Sequence, residues 1–520
     1  MTAARLLRPT LAELWTFLAV ALPVLGALLA PMAAVDLAYQ LRAGAQILDT
    51  RAIPSVDAWT FTIAGTPWTD QQWGAQVLLG LVYRAAGWSG LMILRAGLVA
   101  LAFGLLLLVV RRRSPGLAAR WQALLVLGAF LVASPALALR PQLFAIVLFA
   151  ATLFLLADRR AHPRRLWLIP ILALAWANLH GSFPLVLLLL GLAVFADVLD
   201  RGEWRISLTI TVVSALATLV NPFGLDVWGY VVRLATNPTI GSRVSEWRPP
   251  GLTDVPGLLF WGSVVLVIVA LGWRARRRLA CGMKPLPGWP ALLTLLAFAA
   301  LGAVTGRGLA WWPLAAVFVW AGLLRDAPTG SSNATASPSP SPAPSAADAP
   351  TGITNSNEFS RGVRGSPLNA LVAGLLMVAG VALLPFWRPV GAFFVPLGVL
   401  TYAPLGIAGY VGDVTVRLAS PGLRVWAPQH WGSWLELASP SDAVAVDSRI
   451  ELYPASVWAD YDTVESGSAD WQSTLDRDSV TFVITEVGSD GKLEAALTAS
   501  GTWGRVYTDA DGSIWGRLGR

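Results

Sequence analysis

The chain has 520 residues, 55% of them hydrophobic and only 13% charged, with a mean hydropathy of +0.60; its main solvent is lipid, which excludes an ordinary soluble enzyme. The net charge of +7 comes from arginines in short loops, with no basic stripe on a soluble fold, and nucleic acid is excluded as a partner. Cys281 is the single cysteine and His162, His180 and His430 are the three histidines, so an internal disulfide and a thiolate metal cluster are ruled out and a histidine-cage metal site is disfavoured.

Crossing about 30 Å of hydrocarbon takes roughly 20 apolar residues. Such stretches fall near 12–34, 88–110, 119–138, 141–157, 166–180, 183–199, 206–221, 256–273, 288–305, 309–324 and 368–385. These eleven stretches predict an α-helical polytopic membrane protein. The first has no small-residue cleavage site and is followed by further spans, the pattern of a signal anchor. The pair 166–180 and 183–199 is short and joined only by His180-Gly181-Ser182, as in a broken or re-entrant pair buried by its neighbours.

Cytoplasmic loops retain positive charge, and the arginines obey one alternation. Arg5 and Arg8 precede the first stretch, Arg111 to Arg113 end the second, Arg159, Arg160, Arg164 and Arg165 follow the fourth, and Arg274, Arg276, Arg277 and Arg278 follow the eighth. A cytoplasmic N-terminus puts all of them inside. It places residues 35–87, the turn 180–182, the loop 221–255 and everything after about 386 outside the cytoplasmic membrane. Residues 1–325 then form a transmembrane domain. Residues 326–366, rich in Pro and Ser, read as a disordered cytoplasmic linker in which the triplet Asn333-Ala334-Thr335 would escape glycosylation. Residues 367–400 hold the last transmembrane helix and an exit segment.

Residues 401–520 carry 16 Asp and Glu against 8 Lys and Arg, the balance of a soluble acidic domain. Short β-type runs at 423–426, 443–446, 480–484 and 504–507 alternate with helical patterns at 430–438, 454–466, 470–476 and 491–499, which predicts a small extracytoplasmic α/β domain. Asp447-Ser448-Arg449 follows its second strand. At the carboxyl end of a strand that triplet either meets a ligand or makes a turn with a local Asp–Arg pair. No glycine-rich phosphate loop, GxSxG elbow or HExxH helix is present, and no internal repeat of fixed period supports a transporter of duplicated halves.

The first outside loop is too long for a simple connector. It interleaves Asp36, Arg42, Asp49, Arg51, Asp57 and Asp70 with Trp59, Trp68 and Trp73, and tryptophans of this kind favour the headgroup level. A juxtamembrane helix from Asp36 onward sets Asp36 and Gln40 on one face. The runs DLAYQLRAGAQIL, PSVDAWTFT and GTPWTDQQW, together with Leu139-Arg140-Pro141-Gln142, Ala177-Asn178-Leu179-His180-Gly181-Ser182-Phe183, Asn221-Pro222-Phe223-Gly224, Ser245-Glu246-Trp247, Gln429-His430-Trp431-Gly432-Ser433-Trp434 and Val446-Asp447-Ser448-Arg449-Ile450-Glu451-Leu452-Tyr453, resemble bacterial multi-span proteins classed with the GT-C membrane glycosyltransferases. The resemblance covers most of the chain outside the linker.

It implies a polyprenyl-phosphate sugar as donor, inversion at the anomeric carbon, and an acidic residue of the first outside loop at the reacting centre. Asp36 matches that position and Asp57 is the second candidate. An attacking alcohol must lose a proton, which a carboxylate accepts, and the departing lipid phosphate gains charge that positioned arginines or a metal stabilise. Arg140, Arg243, Arg248 and Arg307 are candidates for that task, with Asn178, His180, Glu246 and Trp247 as further substrate contacts. Each has a plainer reading. Asp36 is a solvated residue beyond a helix C-terminus, where the macrodipole disfavours it; Asp57 is turn chemistry; Arg140 snorkels; Asn178 and His180 hold a helix break; Glu246-Trp247 is an interface anchor. Whether a divalent cation, Mg²⁺ or Mn²⁺, serves as cofactor is left open by the resemblance. The acceptor class is an envelope glycan, lipid or protein. The competing readings are a non-catalytic membrane scaffold with a partner-binding outside domain, or an envelope lipid or polysaccharide transporter.

Overall fold

The computed structural model describes residues 8–325, 365–418 and 422–518. Almost all of the expected linker 326–366, with Asn333, lies outside the described residues, as does Arg5.

Each apolar stretch carries a helix, and the local sequence explains where most of them begin. Helix α1 (Leu11–Leu29) opens on a capping box, in which the Thr10 hydroxyl accepts from the Glu13 amide and the Glu13 carboxylate accepts from the Thr10 amide, satisfying amide groups that a helix start leaves orphaned. It is followed by α2 (Ala34–Thr50), α3 (Trp73–Arg113), α4 (Ala119–Ala133), α5 (Pro141–Ala157), α6 (Ile169–Leu179), α7 (Pro184–Leu199), α8 (Trp204–Ala217), α9 (Asp226–Thr236), α10 (Pro238–Arg243), α11 (Val255–Ala280), α12 (Trp289–Val304), α13 (Trp312–Arg325) and α14 (Pro367–Ala382). Proline in the first turn starts α5, α6, α7, α11, α12 and α14, where its missing amide is not needed.

Among the described residues, five helical segments are long and apolar enough to cross a membrane, and five further apolar helices have 10–17 residues. Helix α6 extends only about 16 Å at 1.5 Å per residue, although the 3₁₀ turn Pro163–Leu168 lengthens it. The core runs through α3, α5 and α13, where Phe103, Phe149 and Trp312 are fully buried. By contrast α11 buries only Gly257 and Phe260, and α14 buries nothing. Val265, Leu266, Ile268 and Val269 point outward at 57–67% exposure, a surface that only hydrocarbon would leave unpenalised.

Two departures from the sequence expectation shape the outer end. The first helix stops at Leu29, short of the expected residue 34, and the chain forms the short strand β1 (Met32–Ala33) before the juxtamembrane helix expected from Asp36, α2, begins at Ala34. The second stretch belongs to a longer helix that breaks at Gly87, whose φ of 57° and ψ of −152° suit glycine alone. Its first part, from Trp73, lies across α2. There Gly44 and Gly80 face one another, and a Cβ at Gly44 would strike the Gln76 carbonyl.

The C-terminal region holds α15 (Leu405–Leu418), α16 (Gln429–Ala438), α17 (Ala455–Glu465), α18 (Trp471–Arg477) and α19 (Gly491–Ser500), with a five-stranded sheet. Strand β2 (Leu400–Thr401) pairs in parallel with β1. The sheet strands are β3 (Arg424–Trp426), β4 (Ala443–Val444), β5 (Phe482–Glu486), β6 (Trp503–Thr508) and β7 (Gly512–Arg517), in the order β4-β3-β5-β7-β6. The first three are parallel and the last pairs antiparallel. Strand β7 and helix α15 are additions to the elements expected from sequence. The β4 edge is covered by the first loop: the Phe61 amide donates to Val444 O at 3.1 Å and the Thr62 hydroxyl to Ala445 O at 2.5 Å. A segment near residue 60 thus finishes a sheet built almost 400 residues later, satisfying edge groups that would otherwise be open.

Candidate active site

Asp36 stands in the first turn of α2, not beyond the C-terminus of the first span. The helix end beside it therefore presents amide groups, and the macrodipole favours its charge. Arg140 is the N-cap of α5, held extended at φ −138° and ψ 165° by the proline that follows. Glu246 and Trp247 lie in the 3₁₀ turn Ser245–Trp247, and Arg307 in the 3₁₀ turn Gly306–Ala310. The two turns are stitched together: Gly306 N donates to Arg248 O at 2.9 Å and the Thr305 hydroxyl to Glu246 O at 3.1 Å.

These four ions form one chain. Arg140 Nε reaches Asp36 Oδ2 at 3.1 Å and its Nη1 reaches Glu246 Oε1 at 2.6 Å. Arg307 Nε lies 3.6 Å from Glu246 Oε2, with its guanidinium 4.8 Å above the Trp247 ring. All remain partly accessible, with side-chain exposures of 23–39%. A cavity of about 70 Å³ adjoins them, lined also by Tyr39, His180, Tyr230, Ser448 and Glu451. A second cavity of about 380 Å³ shares Arg140, Gln142 and Arg307 with it and is walled by Arg248, Pro249, Pro250 and Leu309. The ion chain stands between the two.

Environment separates the acids. Desolvation raises Glu451 above the usual carboxylate range, and raises Tyr39 and Tyr230 well above the ordinary phenol value, with Asp36 and Glu451 adding to the effect. At Glu246 burial acts upward, but Arg140 and Arg307 outweigh it and hold the carboxyl low. Glu246 is accordingly ionised at neutral pH, fixing the two arginines.

Asp57 is elsewhere. It is buried and accepts from Arg449 Nη2 at 2.6 Å and from the Thr60 hydroxyl at 2.8 Å. Arg449 also reaches Asp447 at 2.5 Å, and its guanidinium lies 4.3 and 4.6 Å from the Trp59 and Trp68 rings. The local Asp447–Arg449 pair thus exists and continues into Asp57 as a sealed clamp between the first loop and the sheet. The Ser448 hydroxyl donates to Val35 O at 2.5 Å, next to Asp36. The remaining predicted residues divide. Asn178 donates to Leu174 O and Val220 O, both at 2.9 Å, and accepts from Trp73 Nε1 at 3.1 Å, tying the end of α6 in place. Arg243 binds Asp462 at 2.6 Å and lies 4.2 Å above Trp458, which joins the 221–255 loop to the sheet domain. Arg248 donates to Ser242 O and faces the larger cavity. Only Asp36, Arg140, His180, Trp247 and Arg307 of the predicted residues line the smaller cavity, with Glu246 bonded to them.

Tyr39, Tyr230 and Glu451 also line the smaller cavity and were not among the residues expected there. Glu451 is two residues beyond Arg449 in a motif already noticed, whereas Tyr230 lies on the amphipathic helix α9 and carries no chemical signal of its own.

The donor set does not by itself fit a resident divalent cation. Asp36 and Glu246 converge on an arginine, and no group of three or more His, Cys, Asp or Glu able to hold a metal ion occurs among the described residues. No step below depends on one.

No protein-family model and no curated protein matches the chain. Solved structures do match. The oligosaccharyltransferase of Archaeoglobus fulgidus in the apo form aligns with 97% of this chain and 74% of its own at 11% identity and a TM-score of 0.55. The same coverage, identity and score hold for the archaeal oligosaccharyltransferase AglB of that organism in complex with an inhibitory peptide and a dolichol-phosphate. ArnT of Cupriavidus metallidurans aligns over 96% of both chains at 15% identity and a TM-score of 0.50. At such identities the likeness is one of architecture: the chain has the fold of the GT-C membrane glycosyltransferases, a polytopic helical bundle followed by a small C-terminal sheet region.

Proposed function

We propose that the protein is an integral-membrane glycosyltransferase that moves a sugar from a polyprenyl-phosphate donor to a cell-envelope glycan, lipid or protein. In this reading the reaction takes place on the outer face of the cytoplasmic membrane, with the N-terminus inside and residues 401–520 outside. The observation that carries it is the Asp36–Arg140–Glu246–Arg307 chain, partly open and set between two cavities. The AglB complex with dolichol-phosphate supports a lipid-linked donor for a chain of this fold.

The chemistry follows from the charges. The acceptor hydroxyl attacks the anomeric carbon as the bond from that carbon to the phosphate oxygen breaks, and its proton passes to Asp36. The electron pair of the broken bond stays on the lipid phosphate. Arg140 and Arg307, already oriented by Glu246, neutralise the new charge without reorganising. Trp247 offers a flat apolar face to a sugar ring, and Glu451 and Tyr230 line the same cavity as hydrogen-bonding groups. The test is transfer of labelled sugar from a panel of polyprenyl-phosphate sugars, using membranes with matched amounts of wild type or Asp36→Asn. Transfer abolished by the substitution supports the reading. Transfer unaffected by it removes Asp36 from the mechanism, and absence of transfer from every donor overturns the reading in favour of a scaffold or transporter.

A further inference from the structure

Residues 367–412 carry one charged side chain, Arg388, yet the helix within them stops early. Helix α14 ends at Ala382 after 16 residues, a rise of about 24 Å at 1.5 Å per residue, short of the roughly 30 Å of a hydrocarbon core. The chain therefore leaves the helix near a membrane boundary and continues as the irregular loop 385–397. On an ordinary wet surface such a loop is polar. Here Phe386, Trp387, Val390, Phe394 and Leu397 point outward at 60–87% exposure, and apolar surface of that kind marks an interaction face.

The level of the loop is fixed by α3. Past the break at Gly87 that helix runs from Trp88 to Arg113, about 38 Å, which exceeds the hydrocarbon core but not the roughly 40–45 Å that includes both headgroup layers. Arg111 to Arg113 mark one boundary and Trp88 marks the other. The Trp88 indole donates to Phe393 O at 3.3 Å, so the loop lies at the headgroup level on the side of the sheet domain.

Its backbone suits a place with little water. Pro385, Pro389 and Pro396 bring no amide to be satisfied. Gly391 N donates to Val395 O and Leu397 N to Pro389 O, both at 2.9 Å, which folds the loop back on itself. The Arg388 guanidinium donates to Leu383 O at 3.4 Å, at the end of α14, and to Gly398 O at 3.4 Å. The Trp387 indole donates to Val381 O at 2.8 Å. Irregular backbone near hydrocarbon survives only when such groups find partners. At the tip Phe393 and Phe394 have φ of 54° and 55°, a region that bulky residues seldom enter. The two neighbouring rings take different surroundings: Phe393 packs edge-on against Trp434 of α16, centroids 5.6 Å apart, whereas Phe394 is the most exposed of the five.

We propose that loop 385–397 is a foot of the sheet domain on the membrane, with Phe386, Trp387, Val390, Phe394 and Leu397 entering the leaflet nearest that domain and the backbone held among the phospholipid headgroups. The occupant is lipid because the loop continues the surface of α14, which buries nothing, and because its one charge is turned to its own carbonyls, leaving no ionic pattern for a protein partner to match. Aromatic and aliphatic tips of this kind anchor interfacial segments. The foot is separate from the proposed catalytic centre and does not depend on the activity assigned there.

The experiment is spin-label accessibility of the full chain in phospholipid nanodiscs loaded with one copy each. Cys281→Ser supplies the background, and nitroxides are attached after Phe394→Cys, Leu397→Cys or Trp387→Cys. Leu266→Cys on the lipid-facing side of α11 and Lys492→Cys on the sheet domain give the hydrocarbon and water references. The ratio of collision with oxygen to collision with an aqueous nickel chelate is expected to be severalfold higher at 394 and 397 than at 492, and close to that at 266. A ratio at 394 and 397 equal to that at 492 puts the loop in water and overturns the proposal. Slow collision with both reagents overturns it in favour of a protein contact. Three labelled positions, each on an exposed side chain, keep the outcome readable when one variant fails to fold.

Discussion

Two ion groups at the same end of the molecule are built from the same parts and behave oppositely. In one, Arg140 lies between Asp36 and Glu246 with a quarter to two-fifths of each side chain exposed. In the other, Arg449 lies between Asp57 and Asp447, all at 0–1% exposure and closed over by Trp59 and Trp68. The open group keeps faces on two cavities and is able to exchange one partner for a ligand. The sealed group has no route to a ligand, and what it joins is the first loop and the β4 edge. Accessibility, not residue type, separates a site from a fastening.

Asp36→Asn separates the two groups most strongly. Loss of a positioned base should lower transfer by about 10²–10⁴-fold, with thermal unfolding in detergent almost unmoved; a large loss of stability with normal turnover per folded molecule would reverse the two roles. Arg449→Met tests the other half. It strands Asp57 and Asp447 as buried charges, and breaking such a group costs about 3–5 kcal/mol, so the variant should unfold at markedly lower temperature or fail to accumulate. A weaker effect is expected of Glu246→Gln. With the arginines less firmly aimed, transfer should fall by about 10- to 100-fold while the unfolding temperature stays near that of wild type.

The smallest effect concerns pH. Burial raises Asp70 from 3.8 to about 7, partly offset by the hydrogen bond from Gln76. A carboxyl raised on folding is tolerated best when protonated: its stabilising contribution is fully present below about pH 4 and is lost as pH rises through about 7. Asp70→Asn removes that loss, so its unfolding temperature should exceed that of wild type by about 2–4 °C at pH 8 and by less at pH 5. An equal difference at both pH values would show that Asp70 does not titrate in this window.

Much of the bundle was legible because membrane burial is written in composition. A run such as Leu143 to Leu156 admits no other solvent, and proline in the first turn marks where α5, α7 and α12 begin. The short strands of the sheet region were also legible, since Val425, Val444 and Val483 stand in β-type runs between turn residues. Strand β7 was not, because Gly512, Ser513 and Gly516 dilute its pattern and its register comes from pairing with β5. Asp36 was legible as a candidate at the start of a juxtamembrane helix, whereas its plainer reading, beyond the C-terminus of the first span, does not hold. The break at Ala30-Pro31 and the pairing of Met32 with Leu400 separate α1 from α2, and no local signal announces a partner so far along the chain.

The lipid-facing helices, the arginine-marked face and the residue types gathered in the first loop are written in the sequence, because hydrophobicity and charge act locally and need no partner to be read. Which aspartate remained open was decided only by tertiary structure. Asp36 and Asp57 are both acidic residues of one loop, but Arg140 reached the first from the start of α5, and Arg449, arriving from the sheet with two tryptophans over it, closed off the second. Burial and ion pairing are properties of contacts between distant segments, and only the folded chain contains those contacts.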